Sequence, residues 1–166
     1  MNLCKYKRVI LFAVLTLLII AFIWNNSLAS REASGAQSGR ITKLLQSILD
    51  PAGKIPQESF HHFVRKAAHF TEFAALGLAL CGLFRAIFRV NGSAHFAMPV
   101  LLALMVAVAD EYIQLFADRG SAVADVVLDF AGAMFGLAVG VLILFLYQKR
   151  GVLWTFLKSP FKTTEN

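Results

Sequence analysis

The sequence predicts an all-α fold: a polytopic transmembrane bundle of about four spans, with a short amphipathic helix at its edge. Three observations predict it. Hydrophobic residues make up 58% of the chain and charged residues only 16%, against about 45–50% and about 25% in soluble domains. Apolar runs approaching the ~20 residues that a helix needs to cross a bilayer recur four times. The acids and histidines that interrupt those runs gather near their ends. Disorder, collagen and coiled coil are excluded by this composition, and two cysteines are too few for a disulfide scaffold. The 166 residues form a single membrane domain, 1–166, since the spans leave no room for a soluble one.

The first span is expected at about 9–26 and is uncharged from Val9 to Ser30. Lys5, Lys7 and Arg8 before it, with Ser27-Leu28-Ala29 after it, also fit a secretory leader. The apolar stretch is long for a leader, and Trp24-Asn25-Asn26 is an unusual approach to a cleavage site, so a retained span is favoured.

A small, polar connection follows, Ser30 to Gly39. An amphipathic helix is then expected at about 40–50. Ile41, Leu44, Leu45, Ile48 and Leu49 recur at helical spacing, Arg40, Lys43 and Gln46 take other faces, and Pro51 stops the run. It lies in the outer membrane–water interface or packs on the bundle.

The second span is expected at about 67–89 and is interrupted by His69 and Glu72. The third, about 94–116, carries Asp110-Glu111 near its end. Arg119-Gly120-Ser121 makes a tight turn, with Ser121 able to cap the next helix. The fourth span, about 124–147, carries Asp125 and Asp129. Gly132, Gly136 and Gly140 form a small-residue seam on it, serving packing within the chain or a homo-oligomer, the former being commoner. The tail Val152–Phe161, with Trp154, Phe156, Lys158 and Phe161, has the composition of an interfacial anchor. Cys4 and Cys81 read as unpaired packing residues.

The net charge of +6 is scattered among apolar runs, so it reads as membrane orientation and not as a nucleic-acid footprint. Lys5, Lys7 and Arg8, then Arg85 and Arg89, then Lys149, Arg150, Lys158 and Lys162 share one side if both termini are cytoplasmic. That is the expected topology in the cell membrane.

Helical spacing of about 100° per residue places His62, Arg65, Lys66, His69 and Glu72 on one face of span two and its outer extension. Asp110, Glu111, Gln114 and Asp118 share a side of span three. Asp125 and Asp129 are one turn apart on span four. In the expected topology all three groups lie at the extracytoplasmic end. A charge at mid-bilayer costs ~2.5–3.5 kcal/mol on insertion scales, and such residues mark a functional site by default. Polar glue between helices is the other reading, for example Arg65 or Lys66 paired with Glu111.

Glu72, Asp110, Glu111, Asp118, Asp125 and Asp129 outnumber Arg65, Lys66 and Arg119. So many acids cannot all ionise cheaply in a low-dielectric site. Either some carboxyls stay protonated, or a divalent metal binds to His69 and carboxylates, or a cationic ligand group enters. His69-x-x-Glu72 stands alone, without HExxH or the repeated ExxH of di-iron bundles, so neither metal nor any other cofactor is expected.

Lys66-x-x-His69-x-x-Glu72-Phe73, Asp110-Glu111-x-x-Gln114-x-Phe116-x-x-Arg119 and Asp125-x-x-x-Asp129-x-x-Gly132 together resemble the VanZ-like family. Trp24-Asn25-Asn26-Ser27, followed by Ser34-x-x-x-Ser38-Gly39, is similar to that family's first outer loop. The resemblance runs from about Phe22 to Gly140. Asp129 departs from it, standing where the family usually has Asn. The resemblance implies an integral envelope protein and an association with resistance to teicoplanin, apart from the enzymes that rebuild peptidoglycan precursors. It implies no reaction.

Two functions follow. The first is a non-enzymatic membrane protein whose extracytoplasmic polar pocket binds an envelope lipid, a cell-wall precursor or an amphiphilic antibiotic. Lys66, His69, Glu72, Asp110, Glu111, Gln114, Arg119, Asp125 and Asp129 are its candidate binding residues. Its partners are membrane lipid and a lipid-linked or amphiphilic small molecule, with no nucleic acid. The second is a small intramembrane enzyme, with Glu111 or Asp110 as general base, His69 as proton shuttle and Lys66 or Arg119 as electrophilic stabiliser. No GxSxG, P-loop or phosphatase-like Ser-Gly-His supports the second reading. Transport would require an oligomer, and no broken repeat is visible.

Overall fold

The computed structural model describes residues 3–28, 39, 42–50, 54–93, 95, 97–117 and 122–158, with the backbone alone at 3–5 and 150–158. Every regular element among them is helical. The long helices are α1 (Leu3–Leu28), α3 (Gln57–Asn91), α4 (Ala97–Phe116) and α5 (Val123–Lys158), and the short α2 occupies residues 42–49. Each of the four long helices contains a stretch long and apolar enough to cross a membrane.

Two helices outrun the expected spans. The 35 residues of α3 extend about 52 Å at 1.5 Å per residue, well beyond a ~30 Å hydrocarbon layer. The helix begins at Gln57, ahead of the expected 67, because nothing after Pro56 breaks it. Pro56 ends the preceding extended backbone, and Glu58 in the first turn complements the helix dipole. The other end stops at Gly92, whose φ of 73° is left-handed and whose N–H reaches the Phe88 carbonyl. Helix α5 continues through Lys158, so the first part of the tail read as an interfacial anchor is a helical extension of the last span.

The bundle is welded along α3 and α5, which make its most extensive contact. Gly132 and Gly136 of α5 lie against the backbone of Phe70 and Ala74 on α3, and Gly77 of α3 lies against Ala133 on α5. A Cβ at any of them would overlap backbone carbonyl atoms. Gly140 completes the seam against the side chain of Cys81. The seam therefore serves packing within the chain, by the close backbone approach that small residues permit. Phe73, Leu76 and Leu80 of α3 meet Ile23 of α1, Ala103 and Ala107 of α4, and Ala133 and Leu137 of α5 in one apolar core. Phe12 of α1 seats its ring on Gly82. The outward faces carry exposed Leu, Val, Ile and Phe, as a lipid-facing surface requires.

The short helix α2 turns its apolar face away from the bundle: Leu44, Ile48 and Leu49 are 63%, 65% and 66% exposed. Thr42 and Asp50, at its two ends, are buried. Its end is fastened by Asp50, whose carboxylate accepts from the N–H groups of Lys54 (3.0 Å) and Ile55 (2.7 Å).

Candidate functional site

The site lies at the end of the bundle where α1 and α4 finish and α5 starts. Helix α4 supplies Asp110, Glu111 and Gln114, at 0%, 4% and 5% exposure. One turn separates Asp110 from Gln114, so their side chains are neighbours on the helix face. The Gln114 amide donates to Asp110 Oδ2 at 2.9 Å and to Glu111 Oε1 at 3.1 Å. A neutral amide thus holds two acids of like charge with its two N–H groups.

Both acids are engaged a second time. Asp110 Oδ1 accepts from the Ser27 hydroxyl of α1 at 2.7 Å. Glu111 Oε2 accepts from the backbone N–H of Ala122, just before α5, at 3.3 Å. Asp110 ties α4 to α1, and Glu111 ties α4 to the start of α5.

Helix α5 contributes Asp125 in its first turn, where the helix dipole favours an acid, and Asp129 one turn deeper. Lys66 Nζ of α3 lies 3.3 Å from Asp125 Oδ1. The ion pair is therefore Lys66–Asp125, and not Lys66–Glu111 as the sequence suggested. With the Lys66 side chain half exposed, it is worth little energetically.

His69 of α3 reaches between two acids. Its Nδ1 is 3.9 Å from Asp110 Oδ2 and 3.8 Å from Asp129 Oδ1. Asp129 is 1% exposed, and neither of its oxygens accepts a hydrogen bond among the described residues.

These side chains line a narrow cleft formed by Arg65, Lys66, His69, Glu111, Gln114, Asp125, Leu128 and Asp129. Arg65 and Lys66 stand on its α3 side with Asp125 paired to Lys66, while Glu111 and Asp129 are buried. Of the candidates drawn from the sequence, Lys66, His69, Glu111, Gln114, Asp125 and Asp129 share this cleft, and Asp110 adjoins it through His69. Glu72 does not line it. It turns toward α1, accepts from Asn26 Nδ2 at 3.0 Å, and lines an apolar groove with Leu18, Ile19, Phe22, Thr71 and Ala75. Asp118, Arg119 and Ser121, with the turn expected around them, lie outside the described residues, as do Arg40, Ile41 and nearly all of the Ser30–Gly39 connection. Asn26 and Ser27 were not among the candidate site residues. Their only signal was the Trp24-Asn25-Asn26-Ser27 string at the end of an otherwise apolar span.

Four membrane-length helices and a charged cleft between their ends define a multi-pass helical membrane protein. A family model, VanZ/LLP1, matches residues 12–147, and the chain belongs to that family. No curated protein and no solved structure matches it.

Proposed function

We propose that this protein is a non-enzymatic component of the cell envelope that holds the polar head of an envelope lipid or lipid-linked cell-wall precursor in the charged cleft. In doing so it contributes to teicoplanin-type glycopeptide tolerance. Both termini are cytoplasmic in this reading, and the cleft opens on the extracytoplasmic side.

The observation that carries it is the state of the two acids best placed for proton chemistry. Both oxygens of Asp110 and both of Glu111 already accept hydrogen bonds. These hydrogen bonds brace three helices, which supports a structural use of the two acids over proton chemistry. What remains at the cleft mouth is Lys66, Arg65 and Asp125, a charged rim suited to a polar headgroup. The groove beside Glu72 offers apolar wall for an attached chain.

The test is growth inhibition by teicoplanin and by vancomycin in cells expressing wild type, Lys66→Ala/Asp125→Ala or Glu111→Gln at matched membrane levels. Protection against teicoplanin that is selective and is lost in the rim variant is the expected result. No protection from the wild type overturns the tolerance reading. Turnover of a lipid-linked substrate that vanishes in Glu111→Gln overturns the non-enzymatic one.

A further inference from the structure

We propose that the floor of the cleft is a binding site for one divalent transition-metal ion, with His69, Asp110 and Asp129 as ligands. One ligand-type atom from each lies within 4.8 Å of the others. The individual separations, 3.8 and 3.9 Å from His69 Nδ1 to the two carboxylate oxygens, are a few tenths of an ångström wider than ligands spaced around an ion at ~2.0–2.2 Å. The third separation, between the two carboxylate oxygens, is within 4.8 Å, so binding draws the three side chains inward.

The second observation is Asp129 itself. It sits about 9 Å into α5, six residues past Val123 at 1.5 Å per residue. It is 1% exposed, and neither oxygen has a hydrogen-bond donor among the described residues. The other three buried acids, Asp50, Asp110 and Glu111, each have donors for both oxygens. A buried carboxylate without donors is costly to keep, and a cation in front of it removes that cost. Asp129 faces His69 across the cleft, so the cation it calls for sits where the imidazole also points.

The surrounding groups suit such an ion. Ser27 donates to Asp110 Oδ1 and Gln114 to Oδ2, hydrogen bonds of the kind that orient ligating carboxylates in protein metal sites. One imidazole with two carboxylates favours Zn²⁺ or Mn²⁺ over Mg²⁺ or Ca²⁺, which prefer oxygen alone. Three protein ligands leave coordination positions open toward the cleft, for water or for the headgroup above. The ligands come from three different helices, so no linear motif announces them. For that reason the missing HExxH and repeated ExxH do not bear on this site. The inference concerns the floor of the cleft and stands whether or not the rim binds a lipid.

The experiment uses the full chain, purified in detergent with a chelator and then dialysed. Co²⁺ is titrated while visible absorption is followed, and Zn²⁺ is titrated in competition. Wild type should bind one Co²⁺ per chain, develop d–d bands and release the Co²⁺ to Zn²⁺. Asp129→Asn and His69→Gln should each weaken Zn²⁺ binding at least 100-fold while keeping the helical circular dichroism of wild type. Gln114→Ala should weaken it about 10–100-fold, as loss of an outer-shell partner does. His61→Gln/His62→Gln, on the outer part of α3, should bind like wild type. If Asp129→Asn does not fold, His69→Gln carries the same comparison. A wild type without a saturable Co²⁺ spectrum overturns the proposal whatever the variants do. Binding that survives His69→Gln, or disappears in the His61/His62 variant, also overturns it.

Discussion

Ser27 and Asp110 are 83 residues apart and share a buried 2.7 Å hydrogen bond. The hydroxyl stands at the end of α1 and the carboxylate two turns before the end of α4. This bond makes the first helix part of the site and not merely a membrane anchor.

Ser27→Ala should therefore destabilise the whole bundle. It leaves a fully buried carboxylate oxygen without its donor, at a cost of about 1–3 kcal/mol. Thermal unfolding in detergent, followed by circular dichroism, should show a lower midpoint. Ser27→Ala/Asp110→Asn should cost less than the sum of the two single changes, because the pair acts as a unit. Additive losses would mean that the bond contributes nothing of its own.

The glycines should rank by what faces them. Gly136→Val drives a branched side chain into the backbone of Ala74 and should abolish folded protein. Gly140→Ala meets only the movable side chain of Cys81 and that of Leu78 and should be milder. Gly92→Ala meets nothing, but its φ of 73° sets a cost of about 1 kcal/mol. Yield of monodisperse protein after size exclusion reads the order. A Gly136→Val protein that folds normally would contradict the welded seam.

Removing a charge should cost little at either Asp129 of α5 or Lys66 of α3, for different reasons. Asp129→Asn, in chelator-treated protein, should be neutral or stabilising, since it deletes a buried carboxylate that has no donors. Lys66→Ala should change stability by less than about 1 kcal/mol, as expected for a half-exposed ion pair, and any effect should shrink in salt. Midpoints measured at low and high ionic strength test both. A large loss in Asp129→Asn without metal would show that the carboxylate has a structural partner.

Topology is open to direct measurement. With Cys4 and Cys81 replaced by Ala, a single cysteine at Gln57, on the exposed start of α3, should react with a membrane-impermeant maleimide in intact cells. One at Tyr6 should react only after permeabilisation. The reverse pattern would invert the orientation and turn the cleft toward the cytoplasm.

How much of this was legible in the sequence depends on how far a feature reaches along the chain. Spans are local, so hydropathy found α1, α3, α4 and α5. Neighbours one turn apart on a helix are also local, so Asp110 with Gln114 and Asp125 with Asp129 were visible as pairs. Partner choice between helices was not. His69 and Glu72 are three residues apart, roughly 60° around a helix, and that angle sends one toward α4 and α5 and the other toward Asn26 of α1. Lys66 pairs with Asp125, while Glu111 takes the Ala122 N–H and the Gln114 amide. The start of α3 was placed late because hydropathy sees where a helix enters the apolar layer, not where its hydrogen-bonded backbone begins.

The backbone contact between α3 and α5 has a mechanical consequence. Side chains that interdigitate can rearrange, but carbonyls pressed against glycines have nothing to rotate away. The two longest helices thus behave as one strut, and Lys66, His69, Asp125 and Asp129 are mounted on it at fixed spacing. Asp110, Glu111 and Gln114 ride on α4, joined to the rest at this end by the Ser27 hydroxyl and the Ala122 N–H. A swing of α4 away from that strut would break both bonds.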